Sequence, residues 1–170
     1  MAQNYGVTAV VLDSTSNYVI IKIINLRIGF FKEIKSMRMF LAILACKVSK
    51  CLLKLIGRGS SLPGDIALKI CPDVLSRVKL PEQVIAVTGS NGKTSTVEMI
   101  AQVMRKSGKK VIWNKEGSNQ IAGVTAIILS NCTFGGKVKG DVLLLESDER
   151  YAKYSFKFFA PTHYIITNLY

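Results

Sequence analysis

Thr88-Gly89-Ser90-Asn91-Gly92-Lys93-Thr94-Ser95-Thr96 sets two glycines and a lysine among hydroxyl residues, between an apolar run and a helix-forming stretch. Glycines let the backbone curl until successive N–H groups face inward, and the start of a helix adds positive potential at the same point. Lys93 can then reach the β- and γ-phosphates of a nucleotide, and the Thr94 hydroxyl can ligate Mg²⁺. The general phosphate loop has a further glycine five places before Gly92, where this chain carries Val87, so the match to that pattern is incomplete. A glycine turn with a surface lysine gives no reason for Lys-Thr to stand at a strand-to-helix junction. Phosphate binding does.

Asp141-Val142-Leu143-Leu144-Leu145-Glu146 is an apolar run ending in a carboxylate. A carboxylate leaving the end of a neighbouring strand can reach a metal held beside the phosphates, and Mg²⁺ prefers hard oxygen ligands. Glu146 is the metal-ligand candidate, with a solvated turn acid as the plain alternative; Asp148 and Glu149 read as surface or outlying groups. Asn119, in Asn114-Lys115-Glu116-Gly117-Ser118-Asn119, either caps its helix or presents its amide to the nucleotide. His163, the one histidine, and Trp113 read as packing residues.

These residues need a scaffold that collects strand ends. Val84–Thr88, Lys110–Trp113, Asp141–Glu146 and His163–Thr167 read as strands, with helices over Thr94–Lys106 and from Gly117-Ser118-Asn119 to about Ser130. Strands alternating with helices imply an α/β fold, a mostly parallel sheet with flanking helices, and ligand sites in such sheets lie beyond the carboxyl ends of the strands. Ahead of the sheet, Phe40, Leu41, Leu44, Val48, Cys51, Leu52 and Leu55 recur at helical spacing, with Lys47, Lys50, Lys54 and Arg58 on a separate stripe. This predicts a basic amphipathic helix over Phe40–Ile56, its apolar face either packed on the phosphate-binding domain or, with its lysines, laid against anionic lipid. Gly57 to Gly64 should form a loop, with short helices from Asp65 to Ile70 and from Pro72-Asp73. The predicted organisation is an extension over residues 1–36, a helical lead-in over 37–80 and the phosphate-binding domain over 81–170. Residues 1–36 carry β-branched runs without a joining period, and Met37 or Met39 is a candidate translation start.

Composition narrows the partner. The 170 residues hold 23 Lys+Arg against 11 Asp+Glu, a net charge of +12, and 49% are apolar, too many for a disordered basic tail. Nine basic residues (Lys22, Arg27, Lys32, Lys35, Arg38, Lys47, Lys50, Lys54, Arg58) face a single acid, Glu33, between residues 22 and 58, a local net of +8. A block at one end favours a membrane surface or an anionic partner over nucleic acid. Tyr151, Lys153, Tyr154, Phe156, Lys157 and Phe158 interleave aromatic and basic groups as a nucleic-acid binder would, but an inward-packed aromatic helix with solvated lysines explains them too. The stretch from Tyr18 to Phe31 is broken by Lys22, Asn25 and Arg27, well short of the ~20 apolar residues of a spanning helix. No signal peptide is evident, and Cys46, Cys51, Cys71 and Cys132 have no zinc or CxxC spacing, so they read as free thiols of a cytoplasmic protein.

Thr88-Gly89-Ser90-Asn91-Gly92-Lys93-Thr94 resembles the short TGTNGKT phosphate loop of the Mur ligase and folylpolyglutamate synthetase superfamily, with Ser90 in place of threonine. That shorter loop lacks the glycine that Val87 replaces. The flanks (Leu55-Ile56-Gly57-Arg58-Gly59, Ser61-Leu62-Pro63-Gly64, Ala67-Leu68-Lys69, Pro72-Asp73, Asn114, Gly117-Ser118-Asn119, Glu146-Ser147-Asp148-Glu149, Ile166-Thr167-Asn168-Leu169) resemble one branch of it, the Mur-ligase-like subunits of lipid II isoglutaminyl synthase. The resemblance covers about residues 39 to 170. It implies an ATP- and Mg²⁺-dependent amidation of the D-glutamate α-carboxylate of the lipid II stem peptide, through an acyl phosphate attacked by ammonia from a GatD-type glutaminase partner. It further implies Lys93 and Glu146 as catalytic residues, Gly89, Ser90, Asn91, Gly92, Lys93, Thr94, Ser95 and Asn119 around the nucleotide, and Thr94 and Glu146 on the metal. Family members continue with an Arg-Asp-Gln-type segment, a zinc ribbon and a C-terminal domain, so the resemblance implies an N-terminal fragment, inactive alone, with zinc expected only downstream. The alternatives are an amino-acid-adding Mur ligase, a folylpolyglutamate synthetase and a nucleotide-binding module without ligase chemistry.

Overall fold

Alternate residues of the central strands go to opposite sides of a sheet, and two separate cores result. The computed structural model describes residues 16–55, 61–113, 120–148 and 156–168. The elements are α1 (Ser16–Leu55), α2 (Leu62–Ile70), a 3₁₀ turn (Val74–Ser76), β1 (Gln83–Thr88), α3 (Lys93–Lys106), β2 (Val111–Trp113), α4 (Ile121–Ser130), β3 (Val142–Glu146) and β4 (His163–Ile166). Met1–Ser36 and Met37–Tyr170 form two compact units. In the first, the described residues are helical, and Ile28, Phe30 and Phe31 are exposed.

In the second unit the four strands form one parallel sheet in the order β2-β3-β1-β4. Val84, Leu143, Leu145 and Ile112 face one side and pack with Val124, Ile128 and Leu129 of α4, Ala67 of α2, and Ala42, Ile43 and Cys46 of α1. Ile85, Val87, Val142 and Leu144 face the other side and pack with Val97 and Ala101 of α3. The continuous burial of β1 and β3 is what helices on both faces require. In register, Val87 lies opposite Glu146 and Thr88 opposite Ile166, so the ends of β1, β3 and β4 meet at one edge.

Several boundaries differ from the sequence reading. The helix expected from Phe40 begins at Ser16 and takes in the β-branched run Val19–Ile24, while Val7–Leu12 lies outside the described residues. α2 begins at Leu62 rather than Asp65, because Pro63 suits a first helical turn. Gly64, expected in a loop, is buried within α2 where that helix crosses α4: a Cβ there would fall 1.7 Å from the Ala122 carbonyl oxygen. The absent side chain is what lets the two helices touch.

At α1 the first of the two settings offered for the bulky apolar face is excluded. Its packed face is Ala42, Ile43 and Cys46, all fully buried, whereas most of the residues expected to pack are exposed, among them Leu41, Leu44, Val48, Cys51, Leu52 and Leu55. Small side chains let α1 approach the domain, and the bulky stripe is left outside. His163 is also exposed rather than packed, its Nδ1 3.0 Å from Thr162 Oγ1. Trp113 is half-buried, with the Arg105 guanidinium 5.2 Å from its ring centroid. Of the aromatic and basic run, residues 151–155 lie outside the described residues; Phe156 packs edge-on against Phe159 and Tyr164 with Lys157 exposed. All four cysteines are free thiols.

Candidate phosphate-binding site

The loop after β1 turns on two glycines with positive φ, Gly89 at 134° and Gly92 at 78°. Gly89 has a second reason to lack a side chain, since a Cβ would stand 2.1 Å from Thr167 Oγ1 and 2.9 Å from the Asn168 nitrogen. Above Gly92 a Cβ would meet nothing within 4 Å, so the loop is open there. α3 starts at Lys93, with Gly92 as its N-cap and no side-chain cap. The first N–H groups of a helix have no partner within it, so those of Lys93, Thr94 and Ser95 are available to an anion, at the positive end of the helix dipole.

A pair of residues after β4 fixes the other half of the loop. The Asn91 N–H donates to Asn168 Oδ1 at 2.9 Å, and Asn168 Nδ2 donates back to the Asn91 carbonyl at 3.1 Å. The Ser90 N–H donates to the Asn168 carbonyl at 3.3 Å, and the Thr167 hydroxyl donates to the Asn91 carbonyl at 2.7 Å. The register explains the meeting: with Thr88 beside Ile166, the next residues of both strands run side by side. Two loop amides are thereby used internally, and the open donors belong to the helix start.

Lys93 Nζ donates to the Gly89 carbonyl and, at 3.4 Å, to the Ser90 carbonyl, so its ammonium hangs over the loop mouth. Thr94 Oγ1 donates to Glu146 Oε2 at 2.9 Å. Glu146 is on the α3 side of the sheet and only 5% exposed, whereas Thr94 is at the surface. Two cis oxygens on Mg²⁺ at bond lengths of about 2.0–2.1 Å stand about 2.9 Å apart. The spacing of the Thr94 and Glu146 oxygens matches that edge once the Thr94 hydroxyl turns its proton away from the carboxylate. The buried Thr88 hydroxyl at the base of the loop has no hydrogen-bond partner among the described residues, a polar atom left for a ligand or water to satisfy. No cluster of three or more His, Cys, Asp or Glu that could hold a metal occurs among the described residues. Two hard oxygens suit Mg²⁺, which keeps phosphate and water as its other ligands.

The structure gathers Gly89, Ser90, Asn91, Gly92, Lys93, Thr94, Ser95 and Glu146 at one sheet edge. Asn119, with Asn114, Gly117 and Ser118, lies outside the described residues, as does Glu149. Sequence reasoning did not assign Thr167 or Asn168 to the site; the only signal was the Ile166-Thr167-Asn168-Leu169 segment at a predicted strand end. Asn168→Ala is expected to weaken nucleotide binding about 5- to 30-fold by freeing the Ser90–Asn91 turn, with a loss of about 1 kcal/mol in stability. Asn168→Asp keeps the acceptor for the Asn91 N–H and should recover part of the loss. Parallel nucleotide titrations and thermal melts of the two variants would check this, and unchanged binding in the alanine variant would remove Asn168 from the site.

Residues 87–169 match the model of the Mur ligase middle domain. The chain is 31% identical over 130 residues to the MurT subunit of lipid II isoglutaminyl synthase (glutamine-hydrolyzing) from Streptococcus pneumoniae, which covers 76% of this chain and 29% of that protein. To the MurT subunit from Staphylococcus aureus (strain N315) it is 33% identical over 138 residues, 79% of this chain and 30% of that protein. It is also 35% identical over 77 residues to UDP-N-acetylmuramate–L-alanine ligase from Wolbachia pipientis wMel, 45% of this chain and 14% of that one. The chain thus spans less than a third of the length of the MurT relatives it matches. With a parallel sheet, a loop opening α3, and a match that starts in β1 and runs past β4, residues 87–169 are identified as part of a Mur ligase middle domain.

Proposed function

We propose that this chain supplies the phosphate-binding half of an ATP-dependent amide ligase that converts the D-glutamate α-carboxylate of the lipid II stem peptide to D-isoglutamine, with ammonia from a GatD-type glutaminase. The observation that carries the reading is the convergence of Lys93, the open start of α3 and the Thr94–Glu146 oxygen pair at the ends of β1 and β3. Likeness to two MurT subunits supports the choice of substrate and partner.

Mg²⁺·ATP would supply the γ-phosphoryl group that turns the carboxylate into an acyl phosphate, whose phosphate leaves when ammonia forms the amide. A carboxylate is a poor electrophile, and phosphoryl transfer to it needs positioning and charge stabilisation more than a protein nucleophile. The N–H groups of Lys93, Thr94 and Ser95 bind and orient phosphate oxygens. Lys93 Nζ, held at the loop carbonyls, would offset the charge of the terminal phosphates. Thr94 Oγ1 and Glu146 Oε2 would hold the metal, and Asn168 would keep the loop in place beneath the phosphates. ATP chemistry and a lipid-linked substrate put the protein in the cytoplasm, peripheral to the inner face of the membrane.

The test is hydroxylamine trapping in the assembled ligase with its glutaminase and lipid II. A hydroxamate on the stem-peptide glutamate that requires Mg²⁺, ATP and the wild-type Lys93 is the expected product. Its absence in a preparation that still binds Mg²⁺·ATP would overturn the amidation reading. The likeness to UDP-N-acetylmuramate–L-alanine ligase favours a second reading, addition of an amino acid. Phosphate release stimulated by L-alanine and not by ammonium would select it.

A further inference from the structure

The exposed side of α1 between Met37 and Leu55 has no role in the site. Met37, Leu41, Leu44, Val48, Cys51, Leu52 and Leu55 fall within an arc of about 100° on a helix of 3.6 residues per turn, and the stripe runs about 27 Å. Met37 is 59% exposed, Val48 51%, Leu52 56% and Leu55 80%. Scattered apolar residues on a surface need no explanation, but a continuous stripe of this length does. The helix is also held so that the stripe must face away from the domain. Ala42, Ile43 and Cys46 are buried beneath it, Phe40 packs on Phe134 at 5.3 Å between centroids, and the Arg38 guanidinium donates to the Ile70 carbonyl at 3.0 and 3.2 Å. Lys47 and Lys50 donate to the Ser130 carbonyl and hydroxyl at 3.0 and 2.9 Å.

Charge says what the stripe meets. Residues 37–55 contain Arg38, Lys47, Lys50 and Lys54 and no acid. Lys47 and Lys54 border the stripe on one side and Arg38 on the other. The hydrogen-bond partners of Arg38, Lys47 and Lys50 are neutral oxygens, so their charge stays uncompensated. A second copy would set this cationic helix against its own like charges. An apolar stripe edged by cations instead matches the acyl boundary of an anionic leaflet, with the side chains in the hydrocarbon and the lysines at the headgroups. No described helix is long and apolar enough to cross a membrane, so the fit is to a helix lying in the surface.

We infer that the Met37–Leu55 face of α1 is a docking surface for an anionic lipid bilayer, which would seat the phosphate-binding edge of the same unit on the membrane. The inference deepens the peripheral location proposed above and rests on that reading only for its purpose.

Cys51 gives a native probe. It is exposed in the stripe, whereas Cys46, Cys71 and Cys132 are buried, and burial pushes the Cys46 thiol up to about 11 and the Cys132 thiol up to about 12. Near neutral pH an environment-sensitive thiol dye should therefore label Cys51 selectively. The full chain so labelled is titrated with vesicles of phosphatidylglycerol and phosphatidylcholine, and with phosphatidylcholine alone. The expected result is a blue shift and at least ~10-fold tighter binding to the anionic vesicles, weakened by salt. Val48→Asp and Leu52→Asp, both outward-facing, should each weaken co-sedimentation at least ~10-fold while leaving the melting curve and Mg²⁺·ATP binding unchanged. Binding indifferent to phosphatidylglycerol, or none, overturns the inference. So does a dimer in sedimentation equilibrium that Val48→Asp abolishes, which would assign the face to a second copy. Because nucleotide binding is read in the same preparations, failure on vesicles with nucleotide binding intact rejects the lipid surface and leaves the ligase reading standing.

Discussion

Lys93→Ala is expected to weaken Mg²⁺·ATP binding at least ~10-fold and to lower turnover in the proposed ligase assembly by a factor of about 10²–10³. Among the described residues, Lys93 is the cation whose ammonium lies over the loop mouth, bonded to the Gly89 and Ser90 carbonyls. Charge-assisted hydrogen bonds to phosphate contribute about 1.5–3 kcal/mol each, which sets the lower bound on the binding loss. The fold should persist. Ser90 is exposed, whereas Gly89 is buried and its carbonyl loses a partner, so a stability loss of about 1 kcal/mol is expected. Lys93→Arg should not rescue, because a planar guanidinium cannot occupy the position of a compact ammonium in a turn this tight. Calorimetric titration of wild type and both variants, with thermal melts beside it, decides the matter. A dissociation constant within ~3-fold of wild type in Lys93→Ala would mean that the lysine is a surface group and the loop an ordinary turn.

Glu146 should give the second large effect, of a different kind. Glu146→Gln keeps the shape and an acceptor for the Thr94 hydroxyl, but removes the negative charge from a position only 5% exposed. The variant should remain folded and need at least ~10-fold more Mg²⁺ for half-maximal nucleotide binding. Glu146→Ala also removes the partner of the Thr94 hydroxyl, and should abolish the proposed amidation while leaving association with the proposed glutaminase intact. If Glu146→Gln titrates with Mg²⁺ as wild type does, the carboxylate is structural and the metal is held elsewhere.

How far the sequence could be read differs from one residue to the next, for physical reasons. The loop was legible because its chemistry is local: glycines with positive φ, a lysine and a threonine must sit in order at a strand-to-helix junction whatever surrounds them. The parallel sheet followed from alternating apolar strands and helices. The Thr94–Glu146 contact could be anticipated as the meeting of two strand ends, since β1 and β3 are both continuous apolar runs and so both central. Asn168 was not legible in its role. Its partner Asn91 is 77 residues away, and the contact exists only because β4 pairs with β1 in one register. Gly64 looked like a loop breaker because glycine signals freedom of the backbone; the demand for it comes from Ala122 on another helix. On α1 the periodicity was legible, but which of the two settings its bulky face takes was not. Two faces carry apolar residues, and the pattern of bulk favours the Leu and Val face, whereas close approach to the domain selects Ala42 and Cys46. Hydrophobicity alone does not tell a face that packs inward from one that awaits a partner.

At 18.7 kDa the chain suits residue-by-residue amide spectroscopy, and this gives the most direct test of the central claim, that the Gly89–Ser95 loop and the start of α3 bind the phosphates of a Mg²⁺-bound nucleotide. Titration of the ¹⁵N-labelled chain with Mg²⁺·ATP should move the amides of Gly92, Lys93, Thr94 and Ser95 most and saturably. The amides of Ser90 and Asn91, already bonded to Asn168, should move less, and the whole response should fall away without Mg²⁺ or in Lys93→Ala. Shifts concentrated on another face of the sheet, or loop amides that stay in place at millimolar Mg²⁺·ATP in a folded chain, would contradict it.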